Sequence, residues 1–320
     1  MIKSASDEVI EEAVAVLKAG GLVGMPTETV YGLAGNAFDG GAVARIYAVK
    51  GRPAFNPLIV HYAEAPAVDN EWYRVLAQAF WPGPLTMVVK RGAGFSDISE
   101  LATAGLETVA VRMPSHPVAR ALLRAVDFPL VAPSANKSGC LSPTTPSHVA
   151  DGLGEAVDLV LAAGACDVGV ESTVVDVSGE VPVILRPGAV TAEDVSEALG
   201  FEVGYAAADG DIKSPGQLLK HYAPETAVRL RAVDVAADEG LLGFGSLKFM
   251  GMREGGAVVY LPEGQVLNLS EEGDLEEAAS NLFRMLKALD KGGFARIAVM
   301  DVPEVGLGVA INDRLRRAAM

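Results

Sequence analysis

An α/β architecture in two domains is what the pattern of this chain dictates. Short β-branched apolar runs alternate with amphipathic helical stretches across brief Gly- and Pro-containing connections, which disfavours an all-β or all-α arrangement. At 320 residues the chain exceeds one ordinary core and fits two domains. Half of its residues are apolar and mean hydropathy is positive at +0.29, so each domain has ample surface to bury.

Ser6 precedes an amphipathic helix over 7–20, with Val9, Ile10, Ala13, Val14, Val16 and Leu17 as its apolar positions and Gly20-Gly21 as its stop. Leu22-Val23-Gly24-Met25-Pro26 reads as a short strand ended by proline. Residues 41–50 read as a helix that delivers Lys50 near its C-terminal end. Strands are predicted at 58–62 and 86–90, then at 109–113 and 130–133 on either side of a helix over 117–126. Further strands fall at 159–162, 172–177 and 183–186, and a helix over 193–199 closes a first domain of residues 1–203. Residues 204–226 lose apolar periodicity and carry Gly210, Ser214-Pro215-Gly216 and His221-Tyr222-Ala223-Pro224, so they read as an extended linker. Residues 227–320 form a smaller α/β unit, with strands at 240–245, 257–261 and 297–300 and helices over 271–290 and 307–318. Gly243-Phe244-Gly245-Ser246 lacks the third glycine of a dinucleotide fingerprint and is read as a strand-to-helix turn.

The net charge of -15 divides as 13 basic against 24 acidic residues in 1–203 and 13 against 17 in the remainder. Both parts repel a nucleic-acid backbone at long range, so stable nucleic-acid binding is not expected. A small anion in a local cationic pocket is compatible with that balance. No run of roughly eighteen apolar residues occurs, which argues against a membrane span. Asp7, Glu8, Glu11 and Glu12 are the reverse of a secretory signal, and a cytoplasmic location is expected. Cys140 and Cys166 show no paired spacing and the histidines no HExxH pattern, so neither a disulfide framework nor a protein-held metal is expected.

Against this acidity, residues 40–63 contain Arg45, Lys50 and Arg52 and no carboxylate. Lys50-Gly51-Arg52, followed by Asn56, suits a ligand with several anionic oxygens: arginine offers a planar fork of donors and lysine a mobile point charge. A solvated helix end accounts for the two cations equally well when they are taken alone. Asn56-Pro57-Leu58 and His61, within one loop and strand, weigh against it. His61 reads either as a satisfied core histidine or as a ligand-binding group. Pro133-Ser134-Ala135-Asn136 follows an apolar strand inside a second acid-free stretch, 128–150, the kind of junction where open α/β sheets place ligands. An ordinary Ser/Asn turn has the same composition. Ser134 lies outside any GxSxG elbow and no Walker A sequence is present, which disfavours a hydrolase nucleophile and a P-loop.

Taken jointly, PTETVYGL at 26–33, KGRP at 50–53, NPLIVH at 56–61, PGPLT at 82–86, VRMPSHP at 111–117, APSAN at 132–136, EST at 171–173 and RPG at 186–188 carry a resemblance. With SPG at 214–216 and HYAP at 221–224, the chain resembles the YrdC-type threonylcarbamoyl-AMP synthases in their long, two-domain form. The resemblance implies a YrdC-like twisted open mixed sheet with a concave positive cavity, plus a Rossmann-like C-terminal domain. It implies that L-threonine, bicarbonate and ATP give threonylcarbamoyl-AMP, pyrophosphate and water, the first step of N6-threonylcarbamoyladenosine formation in tRNA. It assigns catalysis to Lys50 and Arg52, and L-threonine to Thr29, His61, Arg112, Ala132 and Ser172. It assigns ATP to Arg52, Asn56, Thr108, Ser134, Asn136, Ser142, Arg186 and Tyr222. Mg2+ is expected to accompany ATP, and the linker to act as a lid carrying Tyr222. A transient contact with the downstream threonylcarbamoyl transferase fits a product that other proteins consume. Two other readings compete. An RNA-binding module needs a broad basic surface with aromatic stacking positions, whereas aromatics here are 6% of residues. A carbamoyltransferase of the hydrogenase-maturation type needs additional zinc-finger and acylphosphatase-like modules for which there is no spare length.

Overall fold

The computed structural model describes residues 1–207, 222–247, 251–252, 262 and 264–320. The chain divides into two compact units, one of Met1–Ser138, Ser142–Asp167 and Glu171–Leu218, the other of Gly139–Leu141, Val168–Val170 and Leu219–Met320.

The first unit holds strands β1 (Ile2–Ser4), β2 (Val23–Met25), β3 (Gly32–Asn36), β4 (Ile59–His61), β5 (Leu85–Lys90), β6 (Thr108–Arg112), β7 (Leu130–Val131), β8 (Leu159–Ala162), β9 (Thr173–Asp176) and β10 (Val183–Arg186). They form one mixed sheet in the order β1-β8-β2-β3-β7-β4-β6-β5-β9-β10. Its helices are α1 (Asp7–Lys18), α2 (Gly40–Lys50), α3 (Glu71–Phe80), α4 (Glu100–Thr103), α5 (Pro117–Ala125), α6 (Pro146–Leu153) and α7 (Ala192–Leu199). Ser6 caps α1 by accepting the Val9 N–H, as the sequence pattern requires.

Strand side chains alternate between faces, and the alternation decides where polar groups go. Val60 on β4, Leu85, Met87 and Val89 on β5, Val109 and Val111 on β6, and Val175 on β9 enter the large core shared with α2, α3 and α7. Ile59, Val88, Ala110 and Val174 form a small cluster of their own on the opposite face. His61, Thr86, Thr108 and Arg112 fall in phase with that second set. Elsewhere Leu159 and Leu161 on β8 pack beneath α1 and α5, while Val160 between them enters the large core.

The second unit is a parallel sheet in the order β11 (Ala227–Arg229), β16 (Arg296–Val299), β13 (Glu239–Gly243), β15 (Val266–Asn268), beside a parallel pair of β12 (Asp234–Val235) and β14 (Gly251–Met252). Helix α8 (Leu275–Asp290) buries Ala278, Ala279, Leu282, Phe283, Leu286 and Leu289, and α9 (Leu307–Ala318) packs against it.

Most predicted elements appear with ends moved by one or two residues. The helix expected from residue 271 begins at Leu275, because Asp274 caps it and Gly273 holds a left-handed turn at φ 77°. The turn at Gly243–Ser246 does leave a strand, but the next described element is β14 rather than a helix. β1, β3, α3, α4, α6, β11, β12, β14 and β15 were not anticipated. β3 is Gly-Leu-Ala-Gly-Asn, with none of the β-branched residues that announce a strand. The strand expected at 257–261 and linker residues 208–221 lie outside the described residues.

Candidate active site

Of the threonine-assigned side chains, His61 and Arg112 stand together on the small-cluster face of the first sheet. His61 pairs with Arg112 across β4–β6, and Arg112 with Thr86 across β5–β6, so the three form a row over adjacent strands. Arg112 donates from Nη2 to Glu28 Oε1 at 2.6 Å, and the Ser115 N–H donates to Glu28 Oε2 at 3.1 Å. Burial alone would raise the Glu28 carboxyl; the guanidinium and these hydrogen bonds overcome it and hold the group below its ordinary range. Arg112 Nε has no hydrogen-bond partner among the described residues. Burial, and then the charge of Arg112, push His61 down to about 3, so its imidazole is neutral. Its Nδ1 lies 3.1 Å from Ile59 O. His61 is thus satisfied at one nitrogen, as a core histidine would be, and also stands in the row with Arg112.

Thr29 lies in the loop that joins β2 to β3. Thr27 Oγ1 accepts the N–H groups of Thr29 and Val30 at 3.2 Å each and donates to Val30 O at 2.6 Å, a side-chain turn that fixes the loop. Backbone bonds from Tyr31 N to Pro143 O and from Leu33 N to Pro133 O dock it against the Ser134 and Ser142 segments. Ala132 follows β7, with its N–H on Ile59 O, and packs beside Gly32. A Cβ on Gly32 would lie 3.0 Å from Ala132 Cβ, so this glycine permits the close approach.

The cations turn inward. Gly51 ends α2 in a left-handed conformation, φ 58°, and redirects the chain. Lys50 Nζ donates to Ser134 O at 2.5 Å and Asn136 O at 2.6 Å, which joins the Lys50–Arg52 and Ser134–Asn136 motifs. Arg52 donates from Nε to Asn56 O at 3.1 Å and from Nη2 to Pro57 O at 2.9 Å. With Lys50 3% and Arg52 8% exposed, the solvated-helix-end reading does not hold. Asn56 is buried, and its amide nitrogen and oxygen have no partner among the described residues. Arg186 donates to Ser172 O from Nε and Nη2, at 3.1 and 2.9 Å. Ser142 donates to Glu171 Oε1.

The β4–β6 register spaces the two assigned sets. Ile59 pairs with Ala110, so Thr108 lies at the Pro57 end of the ladder, and Arg112 at the His61 end. Four residue steps along β6 put about 13 Å between Thr108 and Arg112. Tyr222 belongs to the second unit, where it has φ 60° and its ring lies 5.6 Å from that of Phe283 and 5.4 Å from the Arg314 guanidinium carbon. Glu28, Glu171 and Thr86 were given no role by sequence reasoning. The available signal was that a buried arginine such as Arg112 demands a carboxylate partner, and Glu28 stands within PTETVYGL.

A mixed α/β sheet that turns lysine, arginine and asparagine inward has the chemistry to hold an anionic ligand. The chain belongs to the Sua5–YciO–YrdC family, whose model, described as telomere recombination, matches residues 15–188. A second model, described as the threonylcarbamoyl-AMP synthase C-terminal domain, matches residues 190–320. The chain is 38% identical to the threonylcarbamoyl-AMP synthase of Pyrococcus abyssi, over 97% of this chain and 94% of the relative. It is also 38% identical to that of Bacillus subtilis, over 99% and 94%. The structure of P. abyssi Sua5 complexed with L-threonine matches with a TM-score of 0.85 at 34% identity, covering 100% of this chain and 96% of the other.

Proposed function

We propose that this chain joins L-threonine, bicarbonate and ATP into L-threonylcarbamoyl-AMP with release of pyrophosphate, the first step of N6-threonylcarbamoyladenosine formation in tRNA. The observation that carries this reading is the match to threonylcarbamoyl-AMP synthases through both parts of the chain. Threonine and bicarbonate form a carbamate with loss of water, and a carbamate oxygen attacks the α-phosphorus of ATP and expels pyrophosphate. Both partners are anionic, so the barrier lies largely in bringing like charges together, and preorganised cations lower it without a covalent intermediate. Lys50 and Arg52 are assigned to the carbamate and triphosphate oxygens, with Asn56, Thr108, Ser134, Asn136, Ser142 and Arg186 around the nucleotide. Thr29, His61, Arg112, Ala132 and Ser172 are assigned to threonine.

Among the described residues, no group of three or more His, Cys, Asp or Glu side chains is placed to hold a metal ion. Mg2+ is proposed to enter on the triphosphate, where it would screen phosphate charge. No helix of the described residues is long and apolar enough to cross a membrane. A cytoplasmic location and a transient hand-over contact with the downstream transferase are part of the same proposal. Pyrophosphate release, measured with ATP, L-threonine and bicarbonate omitted in turn, tests it. All three omissions should abolish release, and release that persists without threonine refutes the reaction.

A further inference from the structure

We propose that Thr86 is a positioning residue that makes the Ser172 hydroxyl an obligate hydrogen-bond donor toward the carboxylate of the amino-acid substrate. Thr86 lies on β5, fully buried, opposite Arg112 on β6 and beside Val174 on β9. Its Oγ1 is 2.8 Å from Ser172 Oγ, and the hydroxyl has no other hydrogen-bond partner among the described residues. Ser172 Oγ also accepts from Arg186 Nη2 at 3.1 Å.

A hydroxyl oxygen carries two acceptor lone pairs and one proton. Both hydroxyls are buried, so either direction leaves one proton over, and a ligand oxygen at Ser172 satisfies it only when Thr86 is the donor. Thr86 therefore donates. Arg186 takes the second lone pair, both acceptor positions on Ser172 are filled, and the Ser172 proton is left to aim at a ligand oxygen. The cross-strand neighbour of Thr86 is Arg112, so that oxygen belongs to an anion shared between a guanidinium and a hydroxyl. Thr86 itself touches no substrate and acts through Ser172.

The inference rests on reading this end of the site as the amino-acid pocket. Thr86→Val removes the donor at nearly constant volume, and Thr86→Ser keeps it. Initial rates of pyrophosphate release give KM for L-threonine and for ATP. Thr86→Val should raise the threonine KM roughly tenfold, the loss expected for one charge-assisted hydrogen bond, and leave the ATP KM within about twofold. Thr86→Ser should restore the threonine KM. Loss of discrimination between L-threonine and L-threoninamide in Thr86→Val would mark the carboxylate as the group read. If Thr86→Val does not fold, Thr86→Cys, a weak donor of similar size, replaces it in the same comparison. An unchanged threonine KM, or an equal rise in both KM values, overturns the role of Thr86. Threonine-independent release by the unmodified protein instead overturns the pocket assignment.

Discussion

At the residue scale, the inward placement of Lys50 and Arg52 follows from sequence logic that a charge count alone misses. Two cations at a helix end ordinarily dissolve in water, but Gly51 turns the chain, and residues 40–63 carry no carboxylate beside them. The carbonyls of residues 56, 57, 134 and 136 receive them instead. Arg52 holds two carbonyls in a fixed fork, so Arg52→Ala should cut turnover by about a hundredfold or more with the fold intact. Arg52→Lys should fail too, since a point charge cannot span both positions. Pyrophosphate release together with thermal melting checks both variants. What the sequence left open was pairing: nothing local announces that Glu28 reaches Arg112, a contact made by folding residues 84 apart together.

His61 yields a prediction in pH. Its folded value of about 3 lies below the ordinary 6.5, so the unfolded chain binds a proton in that window that the folded chain does not. Stability contributed by the neutral ring is complete above about pH 6.5 and is lost as pH falls, by up to about 1.4 kcal/mol per unit. Glu28, also lowered, adds loss of the same sign once pH drops below its unfolded value near 4.5. His116, lowered by burial, contributes a further part of the upper slope. Denaturant midpoints between pH 7 and pH 5 should therefore fall less steeply in His61→Gln than in the unmodified protein, and equal slopes would contradict a buried neutral His61.

At the scale of elements, the glycine of the RPG stretch is explained by close approach. A Cβ on Gly188 would sit 2.3 Å from Thr173 N and 2.6 Å from both Glu171 O and Ser172 C. The chain leaving β10 thus lies against the segment that enters β9, which is what lets Arg186 reach Ser172. Gly188→Ala must push these segments apart, and it should lower both the melting temperature and the threonine-dependent rate. Gly179→Ala serves as the control, because a Cβ there meets only Val181 O at 3.9 Å. Elements with a clean period were legible in the sequence, such as α1 with its Ser6 cap and β6 with alternating Val109 and Val111. β3 escaped because small residues are needed where the β2–β3 loop threads between its neighbours. α3 carried its signal in Asn70, whose side chain accepts the Tyr73 N–H as a helix cap.

At the scale of the molecule, a net charge of -15 coexists with a site that collects buried cations. The long-range field and the local site therefore act on different ligands. Nucleic-acid affinity depends on displacing counterions with many surface cations, and here acidic residues outnumber basic ones in both parts of the chain. Among the described residues, Arg45 pairs with Asp158, Arg229 with Glu239 and Arg316 with Glu304. A small polyanion feels chiefly the charges within about 8 Å of it at physiological salt, so ATP can be captured where tRNA is repelled. Electrophoretic retardation of tRNA should thus be absent at about 0.15 M salt and remain absent on dilution to about 0.05 M, where a basic patch would gain affinity steeply. ATP binding, followed by calorimetry over the same range, should persist. Retardation that strengthens at low salt would show that a cationic surface serves the tRNA directly, and the hand-over of a small diffusible product to another protein would no longer follow from the charge.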